Sequence, residues 1–154
     1  IITRSAVVKK RLSLIVLMLL LTGCNSDFSF SEISIGYAND AVQEFIEYAE
    51  VKNGNYLYLD GEKNMYVFIN GIYVTQGNDA VYFSDFNVSA QQDTLNVFIN
   101  QEYDSDYSNT KLKYQVLYKI KTVEKYDTIN LFINGKPVSF DEIFGNEQLI
   151  VYEM

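Results

Sequence analysis

Acid–base chemistry in this chain is confined to carboxylates, lysines and tyrosines. The sequence has 154 residues, with 20 Asp plus Glu, 12 Lys plus Arg, 13 Tyr, one Cys and no His. Without His, a histidine-based catalytic triad, an HExxH zinc site and haem ligation by imidazole are excluded. One Cys allows neither an internal disulfide nor a cysteine metal cluster. A glycosidase needs two carboxylates facing each other across a cleft, roughly 5 to 9.5 Å apart, and no spacing in the sequence singles out such a pair. No GxSxG, SxxK, P-loop or GxGxxG motif is present. The expectation is a protein that is not an enzyme and carries neither cofactor nor metal, with a small carboxylate-dependent hydrolase as the remote alternative. The net charge of −8 also argues against nucleic acid as a partner, because phosphate backbones are bound by clustered Lys and Arg.

Three groupings could still bind something. Asp104-Ser105-Asp106-Tyr107-Ser108-Asn109 begins like a calcium loop, with oxygen ligands at positions 1, 3 and 5. Its twelfth position, however, is Gln115, inside an expected strand, so a polar loop between strands is the preferred reading. Tyr56, Tyr58, Tyr66, Tyr73, Tyr82, Tyr103 and Tyr107 could supply an aromatic platform for a sugar or a peptide. Tyr is also an ordinary strand residue whose ring packs while its hydroxyl reaches water, and core and rim packing is the default. Lys111, Lys113, Lys119 and Lys121 form a basic row in an acidic chain. They could dock an acidic partner such as a wall polyanion, though such rows more often solubilise a sheet face.

The elements that must position these groups are mostly strands. Residues 40–52 read as the one helix: Val42, Phe45, Ile46 and Ala49 make an apolar stripe at i, i+3, i+4, i+7. Asp40 is expected to cap it, with Gln43 completing a capping-box-like pair, and Asn53-Gly54 to stop it. Glu44, Glu47 and Glu50 then form a solvated outer face. Strands are expected at 56–59 and 65–70, joined by the turn 60–64, then at 80–88 and 94–102. Residues 112–121 alternate most cleanly. Leu112, Tyr114, Val116, Tyr118 and Ile120 face one way, and Lys111, Lys113, Gln115, Lys119 and Lys121 face a wet side, with Leu117 out of step. A strand at 128–133 leads through the Asn134-Gly135 turn into 136–140, which Pro137 confines to a sheet edge. One helical turn at 141–144 and a last strand at 148–152 complete the chain. The fold class expected is mainly β with a minor α component: an antiparallel sandwich or open barrel of about seven or eight short strands, with one amphipathic helix on one face. Val67-Phe68-Ile69-Asn70 recurs as Val97-Phe98-Ile99-Asn100 and Leu131-Phe132-Ile133-Asn134. This is read as three strands each ending in an Asn-containing turn rather than as a structural repeat.

The first residues read as an export signal. Arg4, Lys9, Lys10 and Arg11 precede an apolar run at 12–21, too short for the roughly 20 residues that span a bilayer. The chain begins with Ile, as expected from an alternative start codon read literally or a truncated upstream end. Met18 would halve the apolar run as a start. Leu21-Thr22-Gly23-Cys24 then resembles the lipobox of bacterial lipoproteins. That resemblance implies cleavage between Gly23 and Cys24 and a diacylglycerol thioether on Cys24. It also implies attachment to the outer face of the cell membrane. Residues 1–23 would be the signal peptide, 24–38 the lipidated Cys and a Ser-rich tether, and 39–154 a single extracytoplasmic domain. The competing reading of 25–36 is an edge strand, from the alternation of Phe28, Phe30, Ile33 and Ile35. The mature chain would keep 8 basic and 20 acidic residues, a net charge of −12, so the lipid rather than the protein surface would hold it at the membrane.

The stretch 66–138 resembles small β-rich lipoproteins of low-GC Gram-positive bacteria and their prophages, a resemblance the Asn- and Tyr-rich, Pro-poor composition shares. A second likeness is to the PrcB-like domain, a protease-complex-associated β module. Thr75-Gln76-Gly77-Asn78 keeps only the Thr and one Gly of that family's Thr-Gly-Gly-Tyr-like turn. Together these imply a membrane-anchored binding or interaction module with an unknown protein or cell-wall partner. The alternative is an inhibitor or an immunity or phage-exclusion lipoprotein acting against an exported protease, a toxin or a phage.

Overall fold

A computed structural model describes residues 27–145; the signal, Cys24 and the strand expected at 148–152 lie outside the described residues. Among the described residues nine strands and one α-helix form a sandwich-like, mainly β fold that does not close into a barrel. In chain order they are β1 Phe28–Glu32, α1 Asp40–Ala49, β2 Gly54–Asp60, β3 Asn64–Asn70, β4 Ala80–Gln91, β5 Thr94–Asp104, β6 Gln115–Thr122, β7 Thr128–Ile133, β8 Lys136–Val138 and β9 Glu142–Gly145. The first sheet has the order β1-β6-β3-β2-β9 and the second β4-β5-β7-β8. Among the described residues no helix is long and apolar enough to cross a membrane.

The three central strands of the first sheet, β6, β3 and β2, are buried on both faces, which explains why they do not alternate cleanly. Leu57, Met65, Val67, Ile69, Val116, Tyr118 and Ile120 point into the core shared with Leu95, Val97, Ile99 and Leu131 of the second sheet. Tyr56, Tyr66, Phe68 and Leu117 point the other way, beneath Val42, Phe45, Ile46 and Ala49 of α1. The face of β6 expected to be wet is thus dry at Leu117, the residue that stands out of step in the sequence. Phe68 is the hub of this smaller core, with Phe45 edge-on at 6.3 Å and Tyr56 stacked at 6.2 Å.

Several expectations need correction. Residues 28–32 are not tether: they pair with β6, Phe28 opposite Thr122 and Glu32 opposite Tyr118, so the edge-strand reading is the one realised and the folded domain begins earlier than residue 39. Asn39, not Asp40, caps α1, its Oδ1 accepting from the Val42 amide at 3.0 Å. Gln43 reaches back to the Ala38 carbonyl instead. The helix stops at Ala49, ahead of Asn53-Gly54. Residues 142–145 form a strand parallel to β2, Tyr56 opposite Glu142, where one helical turn is expected from sequence. This short pairing spans some 86 positions of chain (Asn55 N donates to Asp141 Oδ2 at 2.7 Å), a contact that no local pattern encodes.

The tetrapeptide echo is also more than three strand ends. Asn100 lies inside β5, not in a turn, and β5 and β7 pair in parallel with Thr94 opposite Thr128, Asn96 opposite Asn130 and Phe98 opposite Phe132. Like residues stack on like: Asn130 donates to Asn96 at 3.0 Å and the two phenylalanine rings lie 4.9 Å apart. Parallel register sets equal offsets side by side, so two similar segments make amide and aromatic ladders. The third copy, in β3, belongs to the other sheet.

In β4 the pairing with β5 slips between Ser84 and Asn87, and Asp85 takes φ +52°. The extra residue lets Phe83 and Phe86, an odd and an even position, both turn inward, and Phe86 stacks on Tyr118 at 3.7 Å. Phe68→Ala should cost about 3–5 kcal/mol of folding stability, whereas Tyr48→Ala on the exposed side of α1 should cost within about 0.5 kcal/mol of nothing. Denaturant titration of the two variants measures the difference, and equal losses would contradict this account of the helix-side core.

Candidate functional site

All the strands run between two ends of the sandwich, and the end where β3 finishes is the irregular one. After Asn70 the chain does not turn back into a hairpin. Gly71 slips between two neighbours, its amide donating to the Tyr114 carbonyl at 2.8 Å. A Cβ at this position would come within 3.1 Å of the Phe83 ring and 3.2 Å of the Tyr114 carbonyl, so any larger residue would have to push these neighbours aside. Residues 72–79 are then all exposed, including three consecutive apolar side chains: Ile72 (43%), Tyr73 (51%) and Val74 (38%). They form a ridge.

Side-chain amides hold that ridge in place of a strand partner. Asn53 receives the Tyr73 amide at 2.9 Å and donates to the Tyr73 carbonyl at 2.6 Å, the pair of bonds a neighbouring strand residue would make. Asn134 does the same to Gln101 in the second sheet, at 2.8 and 2.9 Å. The ridge ends in a turn closed by Asn78 N to Thr75 O, with Gly77 at φ +91°, and the Tyr107 phenol donates to the Asn78 carbonyl.

Asn70 fixes where the ridge begins. It is 2% exposed and all its polar capacity is used. Nδ2 donates to the Glu50 and Lys52 carbonyls at 3.0 and 2.8 Å, satisfying acceptors that the end of α1 leaves open. Oδ1 accepts from the Ile72 amide and from Gln115 Nε2 at 3.2 and 3.1 Å. One side chain thereby ties the helix, β3, β6 and the root of the ridge together.

A cleft lies along each flank of the ridge. One, of about 450 Å³, runs between Ile72, Val74 and the rings of Tyr107 and Tyr114. The other, of about 460 Å³, runs between Tyr73, Asn53, Asp79 and Tyr103. Ile72 walls the first cleft and Tyr73 the second, while Val74, Thr75 and Gly77 border both. The lining offers aromatic faces, amides and hydroxyls, with Asp79 as its one carboxylate. That chemistry suits recognition of apolar and hydrogen-bonding groups. Elsewhere the Asp85 and Glu102 carboxylates share the Ser84 hydroxyl, at 3.4 and 3.2 Å. They stand on the exposed face of the second sheet and line neither cleft.

The residues singled out from sequence divide accordingly. Tyr73, Tyr103 and Tyr107 gather at the ridge; Tyr56 and Tyr66 are buried and Tyr58 and Tyr82 half-buried. The segment 104–109 is the polar loop: Asp104 accepts from the Asp106 amide at 2.9 Å, and Asp106 accepts from the Ser108 hydroxyl and amide at 2.6 and 3.0 Å. Those two bonds hold the Asp106 carboxyl below the usual range. Among the described residues no group of three or more acidic, His or Cys side chains is placed to share a metal ion. The lysines do not make one row. Lys111 and Lys113 precede β6, and Lys113 pairs with Glu32 at 2.5 Å. Lys119 and Lys121 lie on β6, with Lys119 at 5.5 Å from the Tyr66 ring centroid. Ile72, Val74, Tyr114 and the positioning amides of Asn53 and Asn70 are missed from sequence. The signal that could have found them is an apolar triplet following a glycine with no second strand to pair it.

No protein-family model matches this chain, and no curated protein or solved structure matches it.

Asn70→Ala should lower stability by about 2–4 kcal/mol, since it strands buried donors and acceptors; it should also speed hydrogen exchange at the Ile72 amide. Unchanged exchange there would refute the positioning role. A second prediction concerns Tyr118, whose phenol is pushed up to about 12 by burial and then by the Glu32 carboxylate. A folded-state pKa above the unfolded value favours the neutral form in the fold. That contribution is whole below pH 10 and is lost as pH rises from 10 to 12. Tyr118→Phe should therefore flatten the alkaline fall in stability across this window. A variant profile parallel to the wild type would count against it.

Proposed function

We propose that this protein is a lipid-anchored module on the outer face of the cell membrane that binds a protein partner through the ridge at residues 72–79. It acts by recognition rather than catalysis. The observation that carries the binding reading is the run Ile72-Tyr73-Val74, exposed yet held rigid by Asn53 and flanked by clefts with tyrosine walls. Large exposed apolar groups in a contiguous patch mark interaction sites, and Tyr is enriched where such interfaces are strongest. Asp79 lines one cleft, and Asp104 and Asp106 flank Tyr103 and Tyr107 in the chain, so charge complementarity favours a partner with basic groups facing them. The anchor rests on Leu21-Thr22-Gly23-Cys24 and the basic and apolar segments before it. Lipid attachment with two or more acyl chains gives stable membrane residence. The inhibitor reading draws on one feature of the same site: an extended, pinned, protruding segment is a shape that the cleft of an exported protease or toxin accepts.

Two measurements in the protein's own cells test the proposal. A photoreactive residue at Tyr73 should crosslink a discrete protein that the same residue at Lys136 does not capture; identical or empty patterns at both positions would remove the ridge as a binding surface. Cys24→Ala should abolish incorporation of a fatty-acid probe, and continued labelling of that variant would sink the lipoprotein assignment.

A further inference from the structure

The two ends of the sandwich differ in where the chain enters. Residues 25, 26 and 27 alone separate Cys24 from Phe28, and Phe28 is already paired with Thr122. Four peptide steps reach at most about 14 Å, so a lipid on Cys24 would keep the Phe28 end of the fold close to the bilayer. Three connections cluster at that end. The Val123 amide donates to the Asp27 carbonyl at 2.8 Å, Thr122 N to Lys63 O at 2.8 Å and Asp127 N to Asp93 O at 2.9 Å.

The ridge is at the other end. β3 runs from Asn64, opposite Lys121, to Asn70, opposite Gln115, and the ridge follows Asn70. β4 starts beyond the ridge at Ala80, opposite Asp104, and finishes at Gln91, opposite Thr94. The height between the ends is that of β5, Thr94–Asp104, or about 33 Å at the usual rise per residue. We infer that the two sheets act as a spacer of set length and polarity, which carries the ridge away from the bilayer to meet its protein partner from outside. This rests on the lipid anchor proposed above. Charge keeps the domain upright. At the Phe28 end Asp27, Asp60, Glu62, Asp93, Glu124 and Asp127 outnumber Lys63, Lys121 and Lys125, and carboxylates within a Debye length of about 8 Å are repelled by anionic headgroups. Lying flat would bring more of the mature chain's excess of negative charge into that zone.

The lipidated full chain, reconstituted in phosphatidylethanolamine and phosphatidylglycerol vesicles containing a headgroup-nitroxide lipid, tests this. A fluorophore is attached by maleimide to Glu62→Cys or to Gln76→Cys, two exposed turn positions at opposite ends. With Cys24 held as a thioether, the introduced thiol is the one that reacts. Quenching should be severalfold stronger at position 62 than at 76, and a long Gly-Ser insert after Ser26 should shrink the difference. Equal quenching, or stronger quenching at 76, would place the ridge against the bilayer with lipid as its occupant, and would overturn the inference while leaving the anchor intact. Maleimide labelling of wild-type Cys24 would instead overturn the anchor, and the orientation with it.

Discussion

The arrangement depends on one buried amide. Asn70 sits where α1, β3 and β6 meet: both its donors serve carbonyls past the end of α1, and its acceptor serves the ridge root and Gln115 of β6. A buried polar group without partners costs more than a satisfied one contributes. The site is therefore selective: few other side chains present two donors to the open carbonyls of a helix end and an acceptor to the next strand. Because Oδ1 takes the Ile72 amide, the direction in which the chain leaves β3 is set by the same group that closes α1. The helix-side core of Phe45, Phe68 and Leu117 supplies the bulk of the burial, and the amide decides the geometry at its rim.

Asparagine repeats this role at other seams. Asn53 and Asn134 each lend a side-chain amide to a backbone edge with no strand on that side: Tyr73 in the ridge, and Gln101 beyond the end of the β5–β7 pairing. An Asn side chain carries the same donor and acceptor as a peptide unit, so it can terminate a ladder where a full strand would not fit. Asn96 and Asn130 use the amide differently, one against the other across a parallel pair. The Asn-rich composition is thus a structural resource in this fold: it satisfies backbone at edges, turns and strand ends.

Much of the fold is legible in the sequence because it follows from local period. The apolar stripe of α1, the hairpin of β2 and β3, the Asn134-Gly135 turn and the edge position of Pro137 are each written in a few adjacent residues. What is not legible depends on distant partners. β1 is Ser-rich and mostly exposed, so its alternation leaves tether and edge strand both open, and only its pairing with β6 decides between them. β9 is four residues long and gains its identity from β2, far back in the chain. The candidate site is half legible. Tyr73, Tyr103 and Tyr107 carry the same local signal as the buried Tyr56 and Tyr66, because Tyr suits both a core and a rim. Ile72-Tyr73-Val74 lies between the strands expected at 65–70 and 80–88 and carries no period of its own that would mark it as exposed.

An exposed apolar triplet is a liability unless something restrains it. An unpaired extended segment invites pairing with any other chain. Two features limit that here. The hydrogen-bonding groups of Tyr73 are occupied by Asn53, so the ridge cannot add a foreign strand at its centre without displacing an existing pair of bonds. The neighbouring Asp79, Asp104 and Asp106 repel another copy of the same acidic surface. A segment that is exposed, apolar, rigid and guarded has little conformational entropy left to lose when a partner arrives. That combination costs the folded protein stability at a place where a polar, mobile loop would serve the fold equally well, and this cost is the physical ground for the recognition role proposed for the ridge.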